Sequence, residues 1–161
     1  MCYSTLVPEP IPEVNSQFCK DNNIHHFQIP LPANKDGIKM EQCAMSRVLS
    51  VVLDHTNWPI LIHCNKGKHR TGCTVASFRK ALGVPSDEIV EEYIAYSQPK
   101  SRDWDKRFIE SFDARTMTWF ARMNGFEIEE DSDDITVVPS YQCSRLTTYA
   151  PVNGKTSAAV S

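Results

Sequence analysis

Cys64 and Arg70 stand in C-x-x-x-x-x-R spacing within the stretch "HCNKGKHRTGC", with Asn65, Lys66, Gly67, Lys68 and His69 between them. The stretch falls between an apolar run, Ile60 to Ile62, and a segment of helical periodicity after Gly72. A loop in that position can wrap until successive backbone N–H groups converge on one point, with the N-terminus of the helix aimed there as well. A bound phosphate would fill that point. A thiol beneath such a nest and beside Arg70 is expected to ionise below its ordinary range, which makes Cys64 a nucleophile near neutral pH. Arg70 offers a planar fork for two equatorial phosphoryl oxygens, and Thr71 offers a hydroxyl that can hydrogen-bond the sulfur.

Three plainer readings compete. A cysteine after an apolar strand is usually a packing residue, but a loop so rich in Lys, Gly, His and Arg is not what packing requires. His63, Cys64, His69 and Cys73 are all metal-ligand types, yet their spacing lacks the regular pairs of zinc sites. A nucleotide-binding P-loop needs Gly five residues before its Gly-Lys pair and Ser or Thr after it, and Ile62 and His69 occupy those places.

The elements that must position this loop follow from periodicity. A short strand is expected around Thr5 to Val7, then a Pro-rich turn and a helix from Pro12 toward Asn22 and Asn23. "IHHFQI" (24–29) reads as a strand and "PLPANKDG" (30–37) as a loop. Met45, Val48, Val51 and Val52 recur at helical spacing between Met40 and Leu53. "WPILIH" reads as a strand buried on both faces, as in parallel sheets covered by helices. The helix after Gly72 should stop at Gly83, and Ser86 can cap the next, with Asp87 and Glu88 in its first turn. "WDKRFIESFDARTMTWFARM" supplies one or two more helices. Strands alternating with helices indicate an α/β domain with a mainly parallel sheet.

The chain has 161 residues, enough for one domain with its own core. We assign residues 1–126 to that domain and 127–161, acidic and then rich in Ser and Thr, to a flexible tail. A net charge of -3 carries no nucleic-acid signature, and no apolar run is long enough for a membrane span. Without a secretory signal the chain is expected to be soluble and cytoplasmic. Its six cysteines show no C-x-x-C spacing and are expected to be reduced. Charge is uneven: no Asp or Glu lies between Asp54 and Asp87, where Lys66, Lys68, Arg70, Arg79 and Lys80 fall.

The motif "HCNKGKHRTGC" resembles that of the cysteine-dependent phosphatases in general, and closely that of the plant and fungal atypical dual-specificity phosphatases. "PEPIPEVNSQF" is similar to the family's first helix region and "PKSRDWDKRFIESFD" to its segment after the catalytic helix, so the likeness covers roughly residues 5 to 115. The resemblance implies a cysteine-phosphatase-like fold with helices flanking the sheet, and neither a metal nor another cofactor. It further implies removal of the β-phosphate of inositol pyrophosphates, the 5-position favoured, through a cysteinyl-phosphate intermediate. Phosphotyrosine and phosphoinositides would be less selective substrates, and phosphoproteins are conceivable partners.

Two departures qualify the likeness. Two further strands usual in the family before the first matching stretch have no counterpart, so the first strands of the sheet are expected to be missing and an apolar edge exposed. Where relatives carry an Asn-Lys-Glu-Pro-Phe-like segment, this chain has Asn34, Lys35, Asp36, Gly37 and Ile38. Asp36 is therefore the candidate general acid, against the alternative of a solvated turn residue before Gly. Expelling a phenolate, whose conjugate acid has a pKa of about 10, needs a positioned acid far more than expelling a phosphate, whose last pKa is roughly 6. A weak acid would thus favour the pyrophosphate substrate. Lys35, Lys100 and Arg102, with Lys39, could ring the mouth of the loop and suit a ligand bearing many phosphates. A protein-tyrosine or dual-specificity phosphatase, and a non-catalytic reader of inositol polyphosphates, remain the alternatives.

Overall fold

The computed structural model describes residues 1–35, 37 and 39–128. The first strand, β1 (Cys2–Thr5), lies three residues earlier than the sequence suggested, because Leu6 and Val7 leave the ladder and enter the core instead. After Pro12, helix α1 (Glu13–Asp21) runs with Glu13 at its positive end, and the chain turns at Asn23, which takes a left-handed φ of 53°. Strand β2 (His25–Gln28) and helix α2 (Gln42–Val52) follow. Ala44, Met45, Val48, Leu49 and Val52 form the buried stripe of α2.

A single 3-10 turn (His55–Asn57), capped by the Asp54 carboxyl accepting the Thr56 N–H at 2.9 Å, leads into β3 (Ile60–His63). Helix α3 (Arg70–Ala81) ends where Gly83 takes a φ of 90°, as its position predicts. Helix α4 (Ser86–Ser97) begins with Ser86 inside its first turn. Pro85 takes the cap position, so the expected Ser86 cap does not form. The final segment makes two helices, α5 (Asp103–Ser111) and α6 (Arg115–Met123).

The strands form one parallel sheet in the order β2-β1-β3, with Ser4 of β1 opposite Phe27 of β2 and Ile62 of β3. Helix α3 packs against α2, α4, α5 and α6, while α1 packs against β2. This is the mainly parallel sheet with flanking helices that the sequence predicts. One expectation fails: β3 is not buried on both faces, since Leu61 is 60% exposed. Among the described residues β3 pairs only with β1, and as an edge strand it packs Ile60 and Ile62 against the core while Leu61 faces outward.

Parallel strands bring their C-terminal ends to one side of the sheet, the usual place for a ligand. Leu6 after β1, Leu31 after β2 and Cys64 after β3 all emerge there. The Leu6 N–H donates to the His63 carbonyl at 3.0 Å, and the Leu31 N–H to the Leu6 carbonyl at 3.2 Å. At the other end of the domain His55, Trp58, Phe78 and Phe126 form an aromatic cluster, and Ile128 packs against the core. The remainder of the predicted tail lies outside the described residues. No helix among the described residues is long and apolar enough to cross a membrane.

Cys2, Cys19, Cys64 and Cys73 are free thiols, as expected, whereas Cys43 is disulfide-bonded, against the expectation that the cysteines are reduced.

Candidate active site

Cys64 is the first residue past β3 and is 8% exposed. The Thr71 hydroxyl donates to its Sγ at 3.2 Å. Burial alone would push this thiol up. The Thr71 hydroxyl and the backbone N–H groups of Thr71, Lys66 and Gly67 outweigh burial, and the thiol lies below its ordinary value. The amide nest inferred from the sequence is therefore present and acts on the sulfur itself.

Gly67 makes that wrap possible. Its φ is 65°, and a Cβ placed there would meet nothing within 4 Å, so the requirement is conformational rather than spatial. His63 supports the loop from the strand side. Its Nδ1–H donates to the Cys64 carbonyl at 3.1 Å, which leaves Nε2 to accept the Tyr3 hydroxyl, and the two rings stack.

Arg70 opens α3, and its Nη1 donates to the Leu6 carbonyl at 3.1 Å. The guanidinium is thereby anchored at the C-terminal side of the sheet beside the loop. The donors that lower the thiol are the Thr71 hydroxyl and the amides, which are the nest and the hydroxyl that the sequence reading placed there beside Arg70.

The remaining predicted residues divide. Asn65, Lys66 and Gly67 are exposed on the loop and available to a ligand. Lys68 Nζ instead donates to the Gln98 carbonyl, and His69 Nε2 to the Lys100 carbonyl at 2.7 Å. These two side chains clamp the 98–100 segment to the reactive loop, so Lys100 and Arg102 are brought to its flank. Lys35 is exposed beyond β2. Asp36 lies outside the described residues. Among the described residues no group of three or more His, Cys, Asp or Glu could hold a metal ion.

Asp105 and Tyr93 escaped the sequence reading. Asp105 is 1% exposed and accepts from Tyr93 Oη at 2.7 Å and from Asn34 Nδ2 at 2.8 Å. The available signal was an acid on an otherwise apolar helical stripe, Asp105, Phe108, Ile109 and Phe112. Burial, and then the neighbouring Asp105, push the Cys73 thiol well up, so Cys73 is an inert core thiol in contrast to Cys64.

A cysteine at the end of a parallel strand, held by loop amides and by a hydroxyl on the following helix, coincides with a family match. The model of the tyrosine phosphatase family matches residues 3–123. This chain belongs to that family. It is 36% identical over 122 residues to the inositol diphosphatase SIW14 of Saccharomyces cerevisiae, covering 75% of this chain and 43% of the relative. It is 41% identical over 109 residues to the inositol diphosphatase DSP4 of Arabidopsis thaliana, covering 67% of this chain and 55% of the relative. The chain thus spans about half the length of these curated relatives.

The fold agrees. The crystal structure of the core catalytic domain of the PP-IP phosphatase Siw14 from S. cerevisiae, in complex with citrate, superposes with a TM-score of 0.72 at 34% identity, covering 76% of this chain and 74% of that one. The cysteine-phosphatase fold expected from the motif is the fold found.

Proposed function

We propose that this chain is a cysteine-dependent phosphohydrolase that removes the β-phosphate of inositol pyrophosphates, the 5-position favoured. The observation that carries the reading is the Cys64 thiol, held below its ordinary value by the Thr71 hydroxyl and by the backbone N–H groups of Lys66, Gly67 and Thr71. The names of its relatives, inositol diphosphatases of yeast and plants, support the substrate class.

The reaction has two displacements. Cys64 Sγ attacks the terminal phosphorus, the bond from phosphorus to the bridging oxygen breaks, and the inositol phosphate departs with that electron pair. The loop amides and Arg70 stabilise the charge on the equatorial oxygens. Water then attacks the phosphorus of the cysteinyl-phosphate, the S–P bond breaks, and inorganic phosphate leaves. Thr71 eases the sulfur's departure by hydrogen-bonding the returning thiolate. The proposal gives Asp36 both proton transfers, to the leaving oxygen and then from the attacking water. Lys66 on the loop, with Lys35, Lys100 and Arg102 around it, would meet the outer phosphates. A reaction that depends on a free thiolate suits a reducing compartment, and we place the chain in the cytoplasm.

The test is phosphate release from a pyrophosphorylated inositol by the full chain. Release that disappears in Cys64→Ser, with ligand binding kept, supports the enzyme; binding without turnover in both proteins makes it a reader. Membership of a tyrosine phosphatase family keeps phosphoproteins in view. Presenting a phosphotyrosine peptide and the pyrophosphate at equal concentration decides between them, and a preference for the peptide overturns the proposal.

A further inference from the structure

Three separate elements meet at one buried carboxyl group. Asp105 Oδ1, on α5, accepts from Asn34 Nδ2, and Oδ2 accepts from the hydroxyl of Tyr93 on α4. The same Asn34 side chain accepts the Met40 N–H through Oδ1 at 2.6 Å. One amide therefore ties residue 34 to residue 40 and fastens both to α5.

The segment after β2 begins beside the reactive arginine, because the Leu6 carbonyl accepts both the Leu31 N–H and Arg70 Nη1. Its far end is steered by the same helix, since Lys39 Nζ lies 5.1 Å from the ring centroid of Trp104, next to Asp105. An apolar side chain would fill the Asp105 position on the Phe108, Ile109 and Phe112 stripe at lower desolvation cost, so packing does not account for a carboxyl group there.

We propose that Asp105 is a positioning residue: by holding Asn34, and through it Met40, it sets Lys35 and Lys39 at the mouth of the reactive cup, where they meet the outer phosphates of a polyphosphorylated ring. The inference deepens the functional reading above and rests on it. Asp105 acts on ligand capture and not on the sulfur, which the Thr71 hydroxyl and the loop amides hold independently.

The experiment measures capture separately from chemistry. Hydrolysis of 4-nitrophenyl phosphate, a small ester whose leaving group needs no acid and does not reach Lys35 or Lys39, is inhibited with inositol hexakisphosphate. In Asp105→Asn the inhibition constant should rise about tenfold, the loss of one buried hydrogen bond. The kcat/KM for 4-nitrophenyl phosphate and the pH profile of Cys64 alkylation should stay in place. The exchanged pair, Asn34→Asp with Asp105→Asn, can rebuild every bond. Asp at 34 accepts from Met40 and from the new amide at 105, whose oxygen accepts Tyr93. It should restore wild-type inhibition.

An unchanged inhibition constant in a folded Asp105→Asn overturns the inference, as does an exchanged pair that melts like wild type but inhibits weakly. A shifted alkylation profile also overturns it, since Asp105 would then act through Cys73 and α3. If Asp105→Asn does not fold, Asn34→Ala, which leaves Asp105 its Tyr93 partner, carries the same comparison. The rise in melting temperature with inositol hexakisphosphate supplies it without turnover. Failure of the functional reading looks different: wild-type protein binds inositol hexakisphosphate yet releases no phosphate from a pyrophosphorylated inositol.

Discussion

The Thr71 hydroxyl donates to Cys64 Sγ across 3.2 Å, from the first turn of the helix that also carries Arg70. One hydrogen bond thus serves two stages. It favours the thiolate that attacks, and it favours the thiolate that must leave the cysteinyl-phosphate.

Thr71→Val removes that donor at little change in volume. The thiol, now below its ordinary value, should move up, so alkylation of Cys64 by iodoacetamide reaches half its maximal rate at a higher pH. Breakdown of the phosphoenzyme should slow by about tenfold, the scale of a hydrogen bond to a charged group, and a burst of leaving group should precede a slow steady state. The sign for stability follows from the same depressed value. The ionised thiol stabilises the fold above the unfolded thiol pKa, and this is lost as pH falls through the folded one, so the variant should lose stability chiefly at alkaline pH.

Gly67→Ala should damage the site without a steric clash. The positive φ of Gly67 costs an L-residue about 1–2 kcal/mol, and open space around the position offers no other penalty. A loop that relaxes to avoid the strain withdraws the Gly67 N–H from Cys64. The expected result is a modest fall in melting temperature together with an upward shift of the alkylation midpoint. A shift in melting alone would show that the loop had kept its wrap.

His69→Ala cuts the bond to the Lys100 carbonyl and frees the 98–100 segment on one side, leaving the Lys68 tie to Gln98. Because the imidazole acts on the neighbouring segment, KM for a polyphosphorylated inositol should rise about threefold, the scale of one solvent-exposed hydrogen bond. The KM for 4-nitrophenyl phosphate should rise far less. His69→Gln, whose amide can still donate to the carbonyl, should recover part of the loss.

Much of this site was legible because its chemistry is local in sequence. Cys64, Gly67, Arg70 and Thr71 sit on one strand-loop-helix unit, and a motif of that kind fixes residue types and geometry together. The parallel sheet followed from apolar runs alternating with helical periodicity. What the sequence concealed depends on distant pairs. Arg70 is anchored by a backbone carbonyl at Leu6, which no side-chain pattern encodes. Asp105 meets Asn34 only because α5 packs where the loop after β2 returns. Lys68 and His69 looked like ligand-binding residues because positive charge beside a nucleophile invites that reading. Their partners are carbonyls some thirty positions on, visible only once the 98–100 segment is in place. The exposure of Leu61 escaped for a related reason, since an edge strand and a central one can carry the same apolar run.

Asp36→Asn separates the two enzyme readings through the leaving group. A phenolate leaves poorly without a proton, and removing a positioned acid typically costs about 100-fold or more. An inositol phosphate leaves as the weak base of an acid whose last pKa is roughly 6, so at neutral pH it departs largely unaided. With Asp36 as the acid, the variant should lose about 100-fold on a phosphotyrosine peptide and less than about tenfold on a pyrophosphorylated inositol, measured as kcat/KM at pH 7. The acid limb of the peptide profile should flatten as well. Equal small losses on both substrates would make Asp36 a solvated turn residue before Gly37, and the protonation of an aryl leaving group would then fall to water. That outcome would strengthen the pyrophosphate assignment, because only that substrate tolerates a site without an acid.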